Sequence, residues 1–204
     1  MSRYLPPQIY ASIFSGARDV TISTERKKLT VFFSDVKDFT SIAERLQPEE
    51  VMGLLNEYFS EMSVIADRFG GIIDKYLGDA MLVFFGDTET RGARQDARDC
   101  VRMAVAMQVR LAALGAEWRE RGIETPFEAR MGINTGFCNV GNFGSKERID
   151  YTIIGAAANL AERLQRAARP GQIVLSYETF RHVSDLYEAE PLAPLRVKGF
   201  AREV

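Results

Sequence analysis

Two aspartates stand at the ends of apolar runs and could together hold a divalent metal ion. Asp35 follows the apolar run at residues 29–33, and Asp79 lies in the turn at residues 77–79 between two further apolar runs. Either residue alone is also typical of a helix cap or a turn. As a pair, their carboxylates are the hard oxygen ligands that suit Mg²⁺ or Mn²⁺ shared with the phosphates of a substrate. The pair predicts metal-dependent phosphate chemistry if the fold brings both residues to one edge of a sheet.

A second pair of polar residues lies in a segment of small and apolar residues. Asn159 and Arg163 are four positions apart within residues 156–164, and on a helix this spacing places an amide and a guanidinium on one face. The same pattern is common on protein surfaces. The small residues around the pair would let another surface approach closely, and an arginine fork is suited to stabilise charge on a phosphoryl group.

The hydrophobic pattern predicts the elements that would position these residues. Continuous apolar and β-branched runs indicate strands, whereas apolar residues at helical spacing indicate helices. In chain order they are a strand at 29–33, a helix at 48–69, a hairpin at 72–85, a helix at 91–121, a strand at 127–138, a Gly-rich bend at 141–145, a helix at 156–168 and a strand at 172–176.

The order β-α-β-β-α-β favours an α+β fold of the ferredoxin-like type, with helices packed on one face of an antiparallel sheet. In such a sheet the first strand and the central hairpin are neighbours. We therefore expect Asp35 and Asp79 to meet at one edge of the sheet.

Composition and charge limit the class of protein. The chain has 204 residues, of which 46% are hydrophobic and 26% charged, as expected for one domain with a substantial core. A net charge of only -2 argues against a nucleic-acid partner. No apolar run reaches the roughly 20 residues that cross a bilayer, and no signal peptide is evident, so we expect a soluble, cytoplasmic domain. Cys100 and Cys138 have no paired spacing and are expected to be buried thiols in a reducing compartment.

Several other enzyme classes lack support in the sequence. It contains no G-x-x-x-x-G-K-[ST] phosphate loop, no G-x-S-x-G nucleophile elbow and no H-E-x-x-H zinc motif. His182 is the only histidine and lies outside every candidate motif. It is therefore expected to be a structural or surface residue.

Four segments, in this order, resemble the motif series of the class III adenylyl and guanylyl cyclases. They are FFSDVKDFT at 32–40, DKYLGD at 74–79, RMGINTG at 130–136, and DYTIIG at 150–155 followed by Asn159 and Arg163. A weaker match is RVKGF at 196–200, which looks like the penultimate element of the family. The resemblance implies a cyclase fold that is active as a dimer.

Position by position, the resemblance implies that Asp35, Asp79 and the backbone carbonyl of Val36 bind two Mg²⁺ or Mn²⁺ ions in each active site. The implied reaction is an in-line attack of the ribose 3′-oxygen on the α-phosphorus, which gives a cyclic nucleotide and pyrophosphate. Arg148 and Lys198 resemble the contacts of the family to the terminal phosphates.

The resemblance also implies that each site is shared between the two subunits of a homodimer. From the opposite subunit, Lys75 and Thr152 would read the purine, Asn159 would orient the ribose, and Arg163 would hold the α-phosphate in the transition state.

The identity of these residues favours ATP as substrate. Adenine offers an acceptor at N1 and a donor at N6, so it matches the Lys75 donor and the Thr152 hydroxyl as acceptor. Guanine reverses both demands, and guanylyl cyclases of this family typically have Glu where Lys75 stands. Thr152 departs from the Asp of most adenylyl cyclases and resembles a subgroup often responsive to inorganic carbon. Because a hydroxyl can also donate, Thr152 leaves purine selectivity open.

The chain begins with a segment that reads as a connection, ending in the polar residues 15–28, so we expect residues 1–28 to be a linker from an upstream regulatory domain that could be membrane-anchored, and residues 29–204 to be the catalytic domain. The final strand of the family would be largely absent after Val204. Two alternatives remain open: a guanylyl cyclase, which relative turnover of ATP and GTP would reveal, and an inactive cyclase-like nucleotide-binding or dimerisation module. An inactive module would be expected to lack a metal Asp, the Asn or the Arg, all of which are present.

Overall fold

In the computed structural model, which describes residues 23–145 and 149–193, the chain folds around strand β1 (Thr24–Val36). Alternate residues of β1 are buried on the two faces of a sheet, as expected for a central strand. The other elements are α1 (Phe39–Ala43), α2 (Pro48–Arg68), β2 (Ile72–Leu77), β3 (Ala80–Phe85), α3 (Ala93–Glu120), β4 (Ala129–Gly144), β5 (Ile149–Ile154), α4 (Ala156–Ala167), β6 (Ile173–Leu175) and α5 (Tyr177–Val183).

The sheet has the strand order β2-β3-β1-β4-β5, and all pairs along this path are antiparallel. The elements β1, α2, β2, β3, α3 and β4 form the predicted ferredoxin-like βαββαβ unit, which confirms the α+β fold. The prediction of a purely antiparallel sheet was wrong in one respect. Strand β6 returns beside β4 in parallel, after the crossover through β5 and α4.

The helices lie on both faces of the sheet, so the prediction that they share one face was also wrong. The larger core cluster joins α2 and α3 to Phe32, Met81 and Ile133 of the sheet. A second cluster joins α4 to the opposite face, which carries Leu29 and Val31. The prediction missed this face because the residues of β4 under α4 are small or polar rather than apolar.

Two glycines of β4 allow α4 to lie directly on the sheet. A Cβ atom at Gly132 would lie 2.2 Å from the backbone nitrogen of Gln165, and one at Gly136 would lie 2.9 Å from the Cβ of Ala157. Between them, the Asn134 side chain donates a hydrogen bond to the Ala157 carbonyl, with an Nδ2–O distance of 2.9 Å. Gly132 and Gly136 are therefore required by the close approach of the helix that carries Asn159 and Arg163.

Gly132→Ala is expected to destabilise the protein by about 3 kcal/mol or more, because its methyl group would displace the backbone of α4. Gly53→Ala is the matched control, since Gly53 lies inside α2 with no atom within 4 Å of the added Cβ. That change should stabilise the protein by about 0.5–1 kcal/mol. Urea unfolding of both variants tests the close approach, and equal effects of the two substitutions would contradict it.

The observed elements differ from the predicted ones at several points. Strand β1 begins at Thr24, because Thr24 to Lys28 pair in register with Gly141 to Phe137 of β4. Residues 24–28 thus belong to the sheet. The Gly-rich segment after residue 138 continues β4 to Gly144 and pairs with β5, a strand that the pattern did not predict. Helices α1 and α5, of 5 and 7 residues, were not predicted either.

The two cysteines are both buried and neither forms a disulfide, as predicted. Among the described residues, the structure contains no helix with the length and apolar character needed to span a bilayer.

Candidate active site

The edge of the sheet where β1 ends carries both predicted metal ligands. Ser34 of β1 pairs with Met81 of β3, so the end of β1 lies beside the turn between β2 and β3. The backbone N–H of Val36 donates a hydrogen bond to the Asp79 carboxylate, with an N–Oδ2 distance of 3.1 Å. Asp79 is thereby held next to the residue that follows Asp35.

Arg130 completes this edge, although the sequence analysis did not identify it as a site residue. Asp35 and Arg130 are direct partners in the β1–β4 pairing. The guanidinium donates two hydrogen bonds to the Asp35 carboxylate, at 3.0 Å from Nε and 2.7 Å from Nη2. This bidentate geometry fixes the carboxylate orientation, and it raises the pKa of Arg130. The available signal was the position of Arg130 at the start of RMGINTG, opposite the end of β1.

The electrostatics of this edge leave an excess of negative charge. Burial raises the pKa of Asp79, and the charge of Asp35 adds to this effect, although the Val36 N–H and Arg130 lower it. The fully buried Tyr58 has its pKa raised to about 12, mainly by burial and further by the charges of Asp79 and Asp35. Two carboxylates thus face one guanidinium, and a bound cation would relieve their repulsion.

The donor set at this edge fits Mg²⁺ or Mn²⁺. Asp35 and Asp79 provide two carboxylates and Val36 provides a carbonyl. Within the part of the chain that the structure describes, no group of three or more His, Cys, Asp or Glu side chains could hold a metal ion. Mg²⁺ is commonly bound by only one or two carboxylates together with substrate phosphates, so this sparse set suits a metal that arrives with a nucleotide.

The two residues predicted to read the purine lie together in one chain. Strands β2 and β5 stand at opposite ends of the strand order, yet the Lys75 ammonium donates a hydrogen bond to the Thr152 hydroxyl, with an Nζ–Oγ1 distance of 3.0 Å. Thr152 is buried, whereas 39% of the Lys75 side chain is exposed. Asp74 also contacts Thr152, at 2.7 Å; this contact was not predicted from the sequence.

Asn159 and Arg163 lie on the side of α4 that faces away from the sheet. Asn159 is exposed and Arg163 is half-buried, whereas Leu160, Ala161 and Leu164 are buried. Both side chains can therefore be reached by another molecule. The predicted phosphate contacts Arg148 and Lys198 lie outside the described residues.

Comparison with known sequences identifies the family. Residues 22–204 match the family described as the adenylate and guanylate cyclase catalytic domain. The chain belongs to this family. The resemblance of the four motifs to class III cyclases is thus confirmed, as is the cyclase fold.

Solved structures of other cyclases resemble this cyclase domain closely. The adenylyl cyclase CyaB from P. aeruginosa is 49% identical with a TM-score of 0.86, over 89% of this chain and 93% of that one. The guanylyl cyclase Cya2 is 35% identical with a TM-score of 0.83, over 89% and 91% of the two chains. Adenylate cyclase 1 of Rhizobium meliloti (strain 1021) is 33% identical over 178 residues.

The alignment with the Rhizobium enzyme covers 85% of this chain but only 26% of that relative. The chain thus covers a minor part of the curated relative that it matches. Catalytic domains of this family bind nucleotides, generally use divalent metal ions and act as dimers.

Proposed function

We propose that this domain is an adenylyl cyclase that converts ATP into 3′,5′-cyclic AMP and pyrophosphate. The observation that carries the proposal is the contact between Lys75 and Thr152, because it presents a cationic donor and a hydroxyl acceptor side by side. These are the groups that the N1 and N6 edge of adenine requires. The similarity to the adenylyl cyclase CyaB, at 49% identity, supports the same substrate.

Asp35, Asp79 and the Val36 carbonyl are proposed to hold two Mg²⁺ or Mn²⁺ ions. When bound, the ions supply positive charge that offsets the triphosphate and lowers the cost of forming an alkoxide. Arg130 holds the Asp35 carboxylate in one orientation before substrate binds, through its two hydrogen bonds. The site is thus partly preorganised, which reduces the reorganisation needed during the reaction.

The proposed reaction is a single in-line displacement. The ribose 3′-oxygen forms a bond to the α-phosphorus, the bond from that phosphorus to the bridging oxygen of the β-phosphate breaks, and pyrophosphate leaves with the electron pair. The proton of the 3′-hydroxyl passes to solvent. No bond between the enzyme and the nucleotide is required.

The site is proposed to be shared between two copies of the chain. One subunit provides Asp35 and Asp79, and its partner provides Lys75 and Thr152 for the base, Asn159 for the ribose and Arg163 for the α-phosphate. The outward position of Asn159 on α4 supports this arrangement. Its exposed amide lies on the surface of one chain, where a second copy can approach it and enclose the substrate between them. Arg148 and Lys198 are proposed to bind the terminal phosphates.

We further propose that the residues before β1 connect this domain to an upstream regulatory domain, and that the catalytic domain works in the cytoplasm. The greater length of the Rhizobium relative supports a larger parent protein.

Turnover of each nucleotide by the purified protein with Mn²⁺ tests the proposed function. We expect cyclic AMP and pyrophosphate from ATP, and a kcat/KM for GTP that is at least about tenfold lower. The double variant Lys75→Glu, Thr152→Cys should reduce this preference, because it reverses the donor and acceptor that face the base. Preferred use of GTP by the wild type would identify a guanylyl cyclase, and binding without turnover of either nucleotide would identify an inactive module.

A further inference from the structure

Asp74 and Lys75 are consecutive residues, yet both contact the same hydroxyl. In a regular strand, neighbouring side chains point to opposite faces. Here the β2–β3 pairing is irregular between Ile73 and Lys75, since Ile73 pairs with Val83 and Lys75 with Leu82. Asp74 is the extra residue of a β-bulge, a feature that redirects side chains and is common beside active sites. The bulge lets both side chains reach Thr152.

The Thr152 hydroxyl has a single hydrogen, and this hydrogen is committed. An ionised carboxylate can only accept, so in the 2.7 Å contact the Thr152 hydroxyl donates to Oδ2 of Asp74. The ammonium of Lys75 can only donate, so Thr152 accepts from it at 3.0 Å. What remains of the hydroxyl is one lone pair, which can accept one further hydrogen bond.

Asp74 is an unusual residue to find at this place. Only 1% of its side chain is exposed, and its Oδ1 atom has no hydrogen-bond partner among the described residues. Burial raises the pKa of Asp74, whereas the Thr152 hydroxyl, the charge of Lys75 and the backbone N–H of Ile153 lower it. A buried carboxylate with an unpaired oxygen is costly for the fold and calls for a functional reason.

We infer that Asp74 is a positioning residue that determines base selectivity, by holding the Thr152 hydroxyl as an acceptor toward the purine. The N6 amino group of adenine can donate to the remaining lone pair. The O6 atom of guanine is itself an acceptor and would meet that lone pair with no hydrogen between them. This inference rests on the proposed function, and it removes the ambiguity of a threonine at the base-reading position.

The test is the ratio of kcat/KM for ATP to that for GTP in two variants, Asp74→Asn and Asp74→Ala. Asp74→Ala releases the Thr152 hydrogen by removing the acceptor, whereas Asp74→Asn releases it when the amide nitrogen faces the hydroxyl and retains it when the amide oxygen does. We expect the ratio to fall by about tenfold in at least one variant, the effect of one hydrogen bond. If Asp74 had a merely structural role, its substitution would lower kcat/KM for ATP and for GTP by the same factor and leave the ratio unchanged.

Asp87→Asn is the matched control. Asp87 is also fully buried and accepts a hydrogen bond from the Tyr151 hydroxyl at 2.5 Å, one residue before Thr152. Loss of the Asp87 carboxylate should change kcat/KM for ATP and for GTP by the same factor. In addition, the effect of Asp74→Ala on the ratio should disappear in a Thr152→Val background, where no hydroxyl remains to be oriented.

The outcomes separate this inference from the proposed function. A wild type that does not cyclise ATP contradicts the proposed function alone, and the ATP/GTP ratio is then measured by displacement of a fluorescent ATP analogue. Wild-type selectivity in both Asp74 variants, in turnover or in displacement, would overturn the role of Asp74. A loss of selectivity that persists in the Thr152→Val background would overturn it as well.

Discussion

Asp79→Asn is expected to lower ATP turnover by at least about 100-fold, since the variant loses one of the two carboxylates proposed to hold the metal ions. Asp35→Asn is expected to have a loss of the same order. The measurement is the rate of cyclic AMP formation with saturating Mg²⁺ or Mn²⁺, and removal of the metal from the wild type by EDTA should reproduce the loss. Activity near that of the wild type in either variant would contradict the metal assignment.

The stability of Asp79→Asn separates a loss of chemistry from a loss of fold. Burial and the charge of Asp35 raise the pKa of Asp79 in the folded chain. The free energy of unfolding therefore falls as the pH rises from the ordinary carboxyl pKa through the higher pKa of Asp79 in the folded chain. This loss of stability is present at pH 7. In EDTA the variant should unfold at the same temperature as the wild type or at a higher one, whereas added Mn²⁺ should stabilise only the wild type.

Mixing two inactive variants should restore activity if the site is shared between subunits. Asp79→Asn lacks a proposed metal ligand, and Arg163→Ala lacks the charge proposed to stabilise the α-phosphate, so each alone should be nearly inactive. In a heterodimer one of the two sites combines both defects and the other has neither. An equimolar mixture with free subunit exchange should therefore reach about a quarter of the wild-type activity, because about half of the dimers are heterodimers with one intact site.

The formation of heterodimers must be measured separately, with a different affinity tag on each variant. Asn159→Ala serves as a second partner for Asp79→Asn, because Asn159 is exposed and its truncation should not disturb the fold. Tandem-purified heterodimers that are no more active than either parent would show that each site is built within one subunit.

The parts of the fold that were predictable are those with a continuous apolar signal. The predicted helix at 48–69 closely matches α2, which begins at Pro48 with a capping box of Gln47 and Glu50 and ends before Gly70, whose φ of 78° suits a helix terminus. The first residues of β1 gave no such signal, because Glu25 and Arg26 are exposed and residues 24–28 are held in the sheet by their pairing with β4. Strand pairing overrides local composition there.

The candidate site divides in the same way. Asp35, Asp79, Lys75 and Thr152 could be identified because each stands in a recognisable motif, and the fold brings each pair together. Arg130 and Asp74 stand in the same motifs but their contacts depend on strand register. Register and bulges are set by tertiary pairing, so neither the bidentate contact to Asp35 nor the contact to Thr152 could be derived from the residue types.

The bulge in β2 makes the length of the hairpin as important as its composition. Loss of Asp74, the one residue between Ile73 and Lys75, would let the strand return to regular pairing, with Ile73 still opposite Val83 and Lys75 still opposite Leu82. Tyr76 would stay opposite Met81 and could still pack against Phe59, as it does now with ring centroids 4.3 Å apart. Such a domain would keep Lys75 and Thr152 but lose the carboxylate that now contacts the Thr152 hydroxyl. A homologue with a shortened hairpin should therefore be judged by its alignment gaps as well as by its motif residues.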